Sequence, residues 1–160
     1  MLRTSRQGLK GEKMFNILRG LVSGLIATLA ILLIFLFTDL AGLSFRLNTM
    51  PLLADISTRP NPFLVSPVIG WAIHFLIFSL IWSFLYSLAA VKKPGHSVRS
   101  YALGFCLLAW LIMMVFTMPL AGNGYFALKQ GVWPFILALL LHLVWGWLVG
   151  VVYERLPSTS

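Results

Sequence analysis

Four long apolar runs punctuate the chain, and the polar residues fall largely between them. The runs cover about Phe15 to Leu40, Val68 to Val91, Tyr101 to Leu120 and Val132 to Tyr153. About 20 apolar residues at ~1.5 Å rise match a hydrocarbon layer roughly 30 Å thick, so each run predicts a membrane-spanning helix. The fourth run is nearly unbroken; its interior holds one ionisable group, His142, followed by the pair Gly146-x-x-x-Gly150. Basic residues precede the first run as they would in a signal peptide. The stretch Leu21 to Phe37, interrupted only by Ser23 and Thr28, exceeds the ~7–15 apolar residues of a cleaved leader, which predicts an uncleaved helix.

The connections divide the chain further. Residues 1–14 form a basic segment with no apolar period of its own. Lys10-Gly11-Glu12-Lys13 demands purine-rich codons immediately before Met14, so that stretch could encode a ribosome-binding sequence and place the natural start at Met14. The connection 43–66 is too long for a simple turn. Thr49, Leu52, Leu53 and Ile56 share one helical face with Asp55 turned away and Pro51 near the start, which predicts a short helix lying in the outer interface. Arg59-Pro60-Asn61-Pro62 then breaks any helix. The third connection, Ala121 to Gly131, is short and holds three glycines.

The two halves resemble each other. Arg19 and Arg99, Gly24 and Gly104, and the triplets Leu40-Ala41-Gly42 and Leu120-Ala121-Gly122 match at one offset of 80 residues. Ser79-x-x-x-Ser83-x-x-Tyr86 matches Gly146-x-x-x-Gly150-x-x-Tyr153 at an offset of 67. Each half has two spans, so both halves enter from the same side and the repeat is parallel. The expected fold is therefore an all-α polytopic membrane protein of four transmembrane helices in two parallel two-helix repeats, 15–91 and 97–155, with a tail at 156–160. Small residues four apart matter because lipid supplies no hydrophobic drive between helices, and close backbone approach must replace it. They predict a contact along Ser79 and Ser83 on the second helix and Gly146 and Gly150 on the fourth, within one chain or between two.

Composition agrees with lipid as the solvent: 59% of the residues are hydrophobic and 10% charged. The net charge of +8 comes from short basic clusters beside the spans, where anionic head groups are the natural partner, and nucleic acid is not expected. Counting Lys and Arg fixes a direction. Five precede or begin the first span (Arg3, Arg6, Lys10, Lys13, Arg19), three lie in the second connection (Lys92, Lys93, Arg99) and one in the tail (Arg155). Against these nine stand Arg46, Arg59 and Lys129, so both termini are expected in the cytoplasm. Cys106 is the sole cysteine, which rules out an intrachain disulfide. Neither end carries an acylation or prenylation pattern.

Few residues in the spans carry chemistry. His74 and His142 lie about 9 and 13 Å below the outer helix ends, at ~1.5 Å per residue. Two imidazoles at such depth could be axial ligands of a b-type haem, although His74 is turned about 100° from the serine face whereas His142 shares the glycine face. The alternative is a neutral imidazole bonded across a helix contact. Met113, Met114 and Met118 suit Cu(I) as soft thioethers and equally suit apolar filling. Asp39 beside Thr38, and Glu154 with Arg155, read as interfacial, and Tyr86, Tyr101 and Tyr153 as an aromatic belt at the inner ends. No paired carboxylates, nucleophile with a base, or phosphate-binding glycine loop occupies the spans, so enzymatic activity is not expected.

The opening Arg19-Gly20-Leu21-x-x-Gly24, the stretch Met118-Pro119-Leu120-Ala121-Gly122-x-Gly124-Tyr125-Phe126 and the ending His142-Leu143-Val144-x-Gly146-x-x-x-Gly150-x-x-Tyr153 resemble a family of small four-helix bacterial membrane proteins, a domain of unknown function. The resemblance covers roughly Phe15 to Arg155. It departs at Phe78 and Trp82, which stand four and eight residues after His74 where the family pattern has small residues. It implies the bacterial inner membrane and carries no functional residues over. The expected role is a non-enzymatic helix-packing subunit or accessory and assembly factor of a membrane complex, with lipids and with a second copy or other membrane subunits as partners. Alternatives are a haem- or metal-binding electron-transfer protein using His74 and His142, and a small transporter with His142, Thr28 and Thr117 along its path.

Overall fold

The computed structural model describes residues 2–40, 76–90, 97–120 and 122–157. The outer loop 43–66, the interfacial helix expected within it, the start of the second span and His74 lie outside the described residues. All regular elements among the described residues are helical. They are α1 (Leu2–Leu40), a π-helical stretch Ile77–Trp82 leading into α2 (Ser83–Ala90), α3 (Val98–Leu120), a 3₁₀ helix (Tyr125–Gln130), and α4 (Val132–Arg155). Three stretches are long and apolar enough to cross a membrane: Gly11–Ile34 in α1, α3 and α4; the apolar stretch Ser79–Ala89 is shorter. The chain is therefore read as a membrane protein with an all-helical fold.

Helix α1 runs through the basic N-terminal segment that the sequence left without structure. At ~1.5 Å per residue it is roughly 58 Å long, about twice a hydrocarbon core. Local chemistry explains the interruptions elsewhere. Within α3, Met113–Thr117 is π-helical, and the Met118 N–H bonds back to the Met113 carbonyl, five residues earlier. Pro119 follows at once; its ring would press on the carbonyl four residues before it, and a widened turn relieves that clash. Helix α4 begins after Gly131, whose φ of 98° ends the preceding loop, and tolerates Pro134 because the first turn's N–H groups have no helical partner. It stops at Leu156, which precedes Pro157 and is extended at ψ 144°.

The packing is inverted relative to a water-soluble bundle. Leu33 is 65% exposed while Ser23, Ser79, Ser83 and Ser87 are fully buried. Large apolar side chains point outward along every helix, among them Leu25, Leu80, Phe116 and Leu140. Lipid rewards this arrangement, because a leucine gains nothing by leaving hydrocarbon for the bundle interior while a small residue lets two backbones close. Buried hydroxyls need partners, and two find them on their own helix: Ser23 donates to the Arg19 carbonyl at 2.7 Å and Ser87 to the Ser83 carbonyl at 2.6 Å.

Helix α1 is central, packed antiparallel on both α2 and α4, and α3 makes its most extensive contact with α4. The registers follow from named pairs. Gly20 meets Ser87 and Gly24 meets Ser83 between α1 and α2. Arg19 reaches Tyr153, and Thr28 accepts a bond from Trp145, between α1 and α4.

Candidate functional site

The small residues singled out in the sequence sit in two seams rather than one. A Cβ built on Gly20 would strike Ser87, and one on Gly24 would strike Ser83, so the serines of the second span close on α1. On α4, a Cβ at Gly146 would lie 2.8 Å from Cys106 Cβ and 3.0 Å from the Ala102 carbonyl. One at Gly150 would lie 2.9 Å from Arg99 Cα. Gly146 and Gly150 thus receive α3. Within the chain these pairings stand in place of the expected direct contact of Ser79 and Ser83 with Gly146 and Gly150, because spacing alone names a compatible surface and not its partner. Gly104 repeats Gly24 in sequence only; nothing lies within 4 Å of a Cβ placed on it.

The two sequence motifs at the chain's opening and ending meet at one end of the bundle. Arg19 Nη2 donates to the carbonyls of Tyr153 at 2.7 Å and Leu156 at 3.0 Å, while its guanidinium lies 4.3 Å over the Tyr153 ring. These carbonyls are the ones a helix C-terminus leaves without helical partners, and they carry the negative end of its dipole, so a cation is the fitting cap. Its Nη1 also donates to Asn16 Oδ1 at 3.3 Å. Tyr86 packs edge-on against Tyr153 with ring centres 5.6 Å apart, and its hydroxyl donates to the Val98 carbonyl at 3.3 Å. All four helices contribute to this cluster. Tyr86 and Tyr153 are buried, which corrects the expectation of an aromatic belt for those two: a ring between helices gains edge-to-face contacts that a lipid-facing ring lacks. Arg99 pairs with Glu154 at 2.7 Å on the exposed rim of the same end.

In the middle of the bundle, the Trp145 indole N–H donates to Thr28 Oγ1 at 3.0 Å, joining α4 to α1. His142 is buried one turn away, and its Nδ1 lies 2.7 Å from the Ala138 carbonyl. A carbonyl only accepts, so Nδ1 carries the proton and Nε2 is the basic nitrogen. Cys106 Sγ donates to the Leu103 carbonyl at 3.1 Å and fills the space opposite Gly146. Among the described residues no group of three His, Cys, Asp or Glu side chains stands close enough to hold a metal ion.

At the opposite end, Met114 and Met118 are buried with Ala127 and Ala138 inside a box of Trp110, Phe126 and Phe135. Ring centres there are 5.3 Å apart for Trp110 and Phe135 and 5.9 Å for Phe126 and Phe135. Trp82 packs edge-on against Phe105 of α3, with ring centres 5.5 Å apart.

Sequence reasoning overlooked the capping role of Arg19, the Thr28 to Trp145 bond and the fit of Cys106 against Gly146. The first had only an indirect signal, since Arg19 begins the opening motif and Tyr153 ends the closing one. Neither the curated proteins nor the solved structures contain a match to this sequence. The residues from Met14 to Ser160 do match one family, so the chain, whose opening and ending motifs meet across α1 and α4, belongs to the family of unknown function DUF6789.

Proposed function

We propose that the protein is a non-enzymatic membrane subunit or accessory factor that assembles with a second copy or with other membrane proteins. Four crossings, in two parallel two-helix repeats, place both termini in the cytoplasm of a bacterium with the bundle in its inner membrane. The fourth crossing is the second apolar run, Val68 to Val91, of which Ser79–Ala89 is apolar and helical. Duplication is supported by Arg19 and Arg99, matched in sequence and both engaged at the C-terminal end of α4. Orientation is supported by nine of twelve basic residues falling on one side. Lipids are the surrounding partner, and nucleic acid has no part.

One observation carries this reading: the small polar groups inside the spans are buried where helices meet, and their hydrogen bonds run to their own helix or to the next one. Thr28 takes the Trp145 indole, Ser87 and Ser23 take carbonyls of their own helices, and Cys106 fills the Gly146 seam. What remains outward is a large apolar surface on every helix, suited to lipid and to other transmembrane helices. Purification in mild detergent with light scattering and protein mass analysis tests it. A stable multimer or a stoichiometric membrane partner is expected; a lone monomer that turns over a substrate would overturn it.

The haem reading keeps one favourable observation. An imidazole whose Nδ1–H is anchored on a backbone carbonyl has the tautomer and fixed ring that ligating histidines use. His142 meets that condition, and His74 would supply the second ligand. An absorption spectrum after expression with ample haem decides: a Soret band that is lost in His142→Phe establishes the haem, and its absence removes it.

A further inference from the structure

The loop between α3 and α4 has two sides of different character. Its inward side is Phe126 and Ala127, both in the left-handed region at φ 55° and 56°, which turns the Phe126 ring into the Trp110 and Phe135 box and buries Ala127 on Met114 and Met118. Two adjacent non-glycine residues in that region are strained, and the surrounding packing holds them there. The consequence is that Tyr125 and Leu128 are held outward, 65% and 60% exposed, beside Trp133 at 79% and Val132 at 59%. The loop is internally braced. Gln130 Nε2 donates to Asn123 Oδ1 at 2.8 Å, the Lys129 N–H to the Asn123 carbonyl at 3.2 Å, and Lys129 Nζ to the Gly122 carbonyl at 3.1 Å.

We propose that this loop lies in the bilayer interface rather than in water, with Tyr125, Leu128 and Trp133 set among the head groups and upper acyl chains of the leaflet opposite Arg19. Three observations select lipid as the occupant. The outward side chains are continuous with the lipid-facing apolar surface of α3 and α4, reaching Phe116 and Leu120 on one helix and Leu140 on the other. Tyrosine and tryptophan are the residues that interfaces favour, having an apolar body and a polar tip. No carboxylate occurs from Ala121 to Pro134, and the one cation, Lys129, keeps two N–H donors for phosphate beyond the one on the Gly122 carbonyl. The N–H groups of Asn123, Ala127, Lys129 and Gly131 are bonded within the loop or to the end of α3, which lowers the cost of shallow immersion.

The experiment uses the full chain in liposomes of phosphatidylethanolamine and phosphatidylglycerol. Nitroxides are placed by Tyr125→Cys or Leu128→Cys in a Cys106→Ala background, with Pro157→Cys as the water control. Collisions with oxygen should exceed those with a water-soluble nickel chelate at 125 and 128, and the ratio should reverse at 157. Independently, lipids brominated high on the acyl chain should quench more of the emission that Trp133→Phe removes than lipids brominated near the chain end. Nickel collisions at 125 and 128 equal to the water control overturn the proposal. So does distance-dependent broadening between labels that vanishes on dilution with unlabelled protein, which would make a second copy the occupant. If the labelled variants fail to fold, the quenching comparison on otherwise native protein decides alone, and equal quenching at both depths refutes it.

Discussion

Replacing Arg19 with alanine tests the idea that one side chain joins the first and last helices. Its two bonds to helix-terminal carbonyls are charge-assisted, each worth roughly 1.5–3 kcal/mol net, and the stack over Tyr153 adds ~0.5–2 kcal/mol. Ordering the side chain costs about 2 kcal/mol, and partial exposure lets water replace some of what is lost, so Arg19→Ala should destabilise by about 3 kcal/mol. At roughly 2–4 °C per kcal/mol for a chain of this size, the melting temperature in mild detergent should fall by about 6–12 °C. Arg19→Lys keeps the charge and loses both the fork and the stacking plane, so it should recover less than half of that fall. Glu154→Ala is the control. It breaks an equally short contact, but one on an exposed rim, where such pairs contribute about 1 kcal/mol or less. Thermal loss of the monodisperse protein, followed by size exclusion after heating, gives all three values. Equal falls for Arg19→Ala and Glu154→Ala, or none for Arg19→Ala, would refute the assignment of Arg19 as the cap.

Other expectations are simpler to state. Gly24→Ala should lower the melting temperature because its Cβ meets the Ser83 side chain, whereas Gly104→Ala should leave it unchanged or raise it, helix propensity adding up to ~1 kcal/mol of stability; identical responses would contradict the two-seam packing. Thr28→Val removes the acceptor of the Trp145 indole and should cost about 0.6–2 kcal/mol, with a changed Trp145 emission, measured by chemical denaturation and fluorescence; a fully native spectrum would show the bond is absent in solution. Met114→Leu with Met118→Leu should leave copper content after purification unchanged by elemental analysis, since both thioethers fill an aromatic box. A chain started at Met14 should melt with the longer one by the same thermal assay, because among the described residues the first bond between α1 and another helix is the one the Ile17 carbonyl accepts from Ser87 Oγ; a clearly lower melting temperature would show that residues 2–13 contribute to stability.

Length and continuity of the apolar runs were enough to locate α1, α3 and α4, with ends within a few residues except at the N-terminus, where the helix extends back to Leu2. A run of basic and polar residues with no apolar period carries no signal for a helix that is simply propagated from its neighbour. Partner choice was not legible, and the reason is physical. In water an apolar stripe marks the face that must be covered, but a helix such as α4 is apolar all round and lipid satisfies any face equally. Only small residues mark a contact, and Ser83 fits Gly24 as well as it would fit Gly150. Tyr86 and Tyr153 were read as interfacial because tyrosines at span ends usually are. Nothing in their spacing distinguishes a ring facing lipid from one filling the gap that small residues leave between converging helices. His142 was correctly placed on the glycine face, since the two share one period.

The bond from Arg19 to Tyr153 joins residues 134 positions apart. A chain synthesised at ~5–20 residues per second needs roughly 7–27 s between presenting the arginine and presenting the carbonyl that receives it. During that interval the first pair of helices can close its own seam, but its arginine has Asn16 on its own helix and no helix-terminal carbonyl to cap. Completion of the polypeptide is therefore what supplies the cap's acceptors, and a chain truncated before its last turn lacks the carbonyls that receive Arg19.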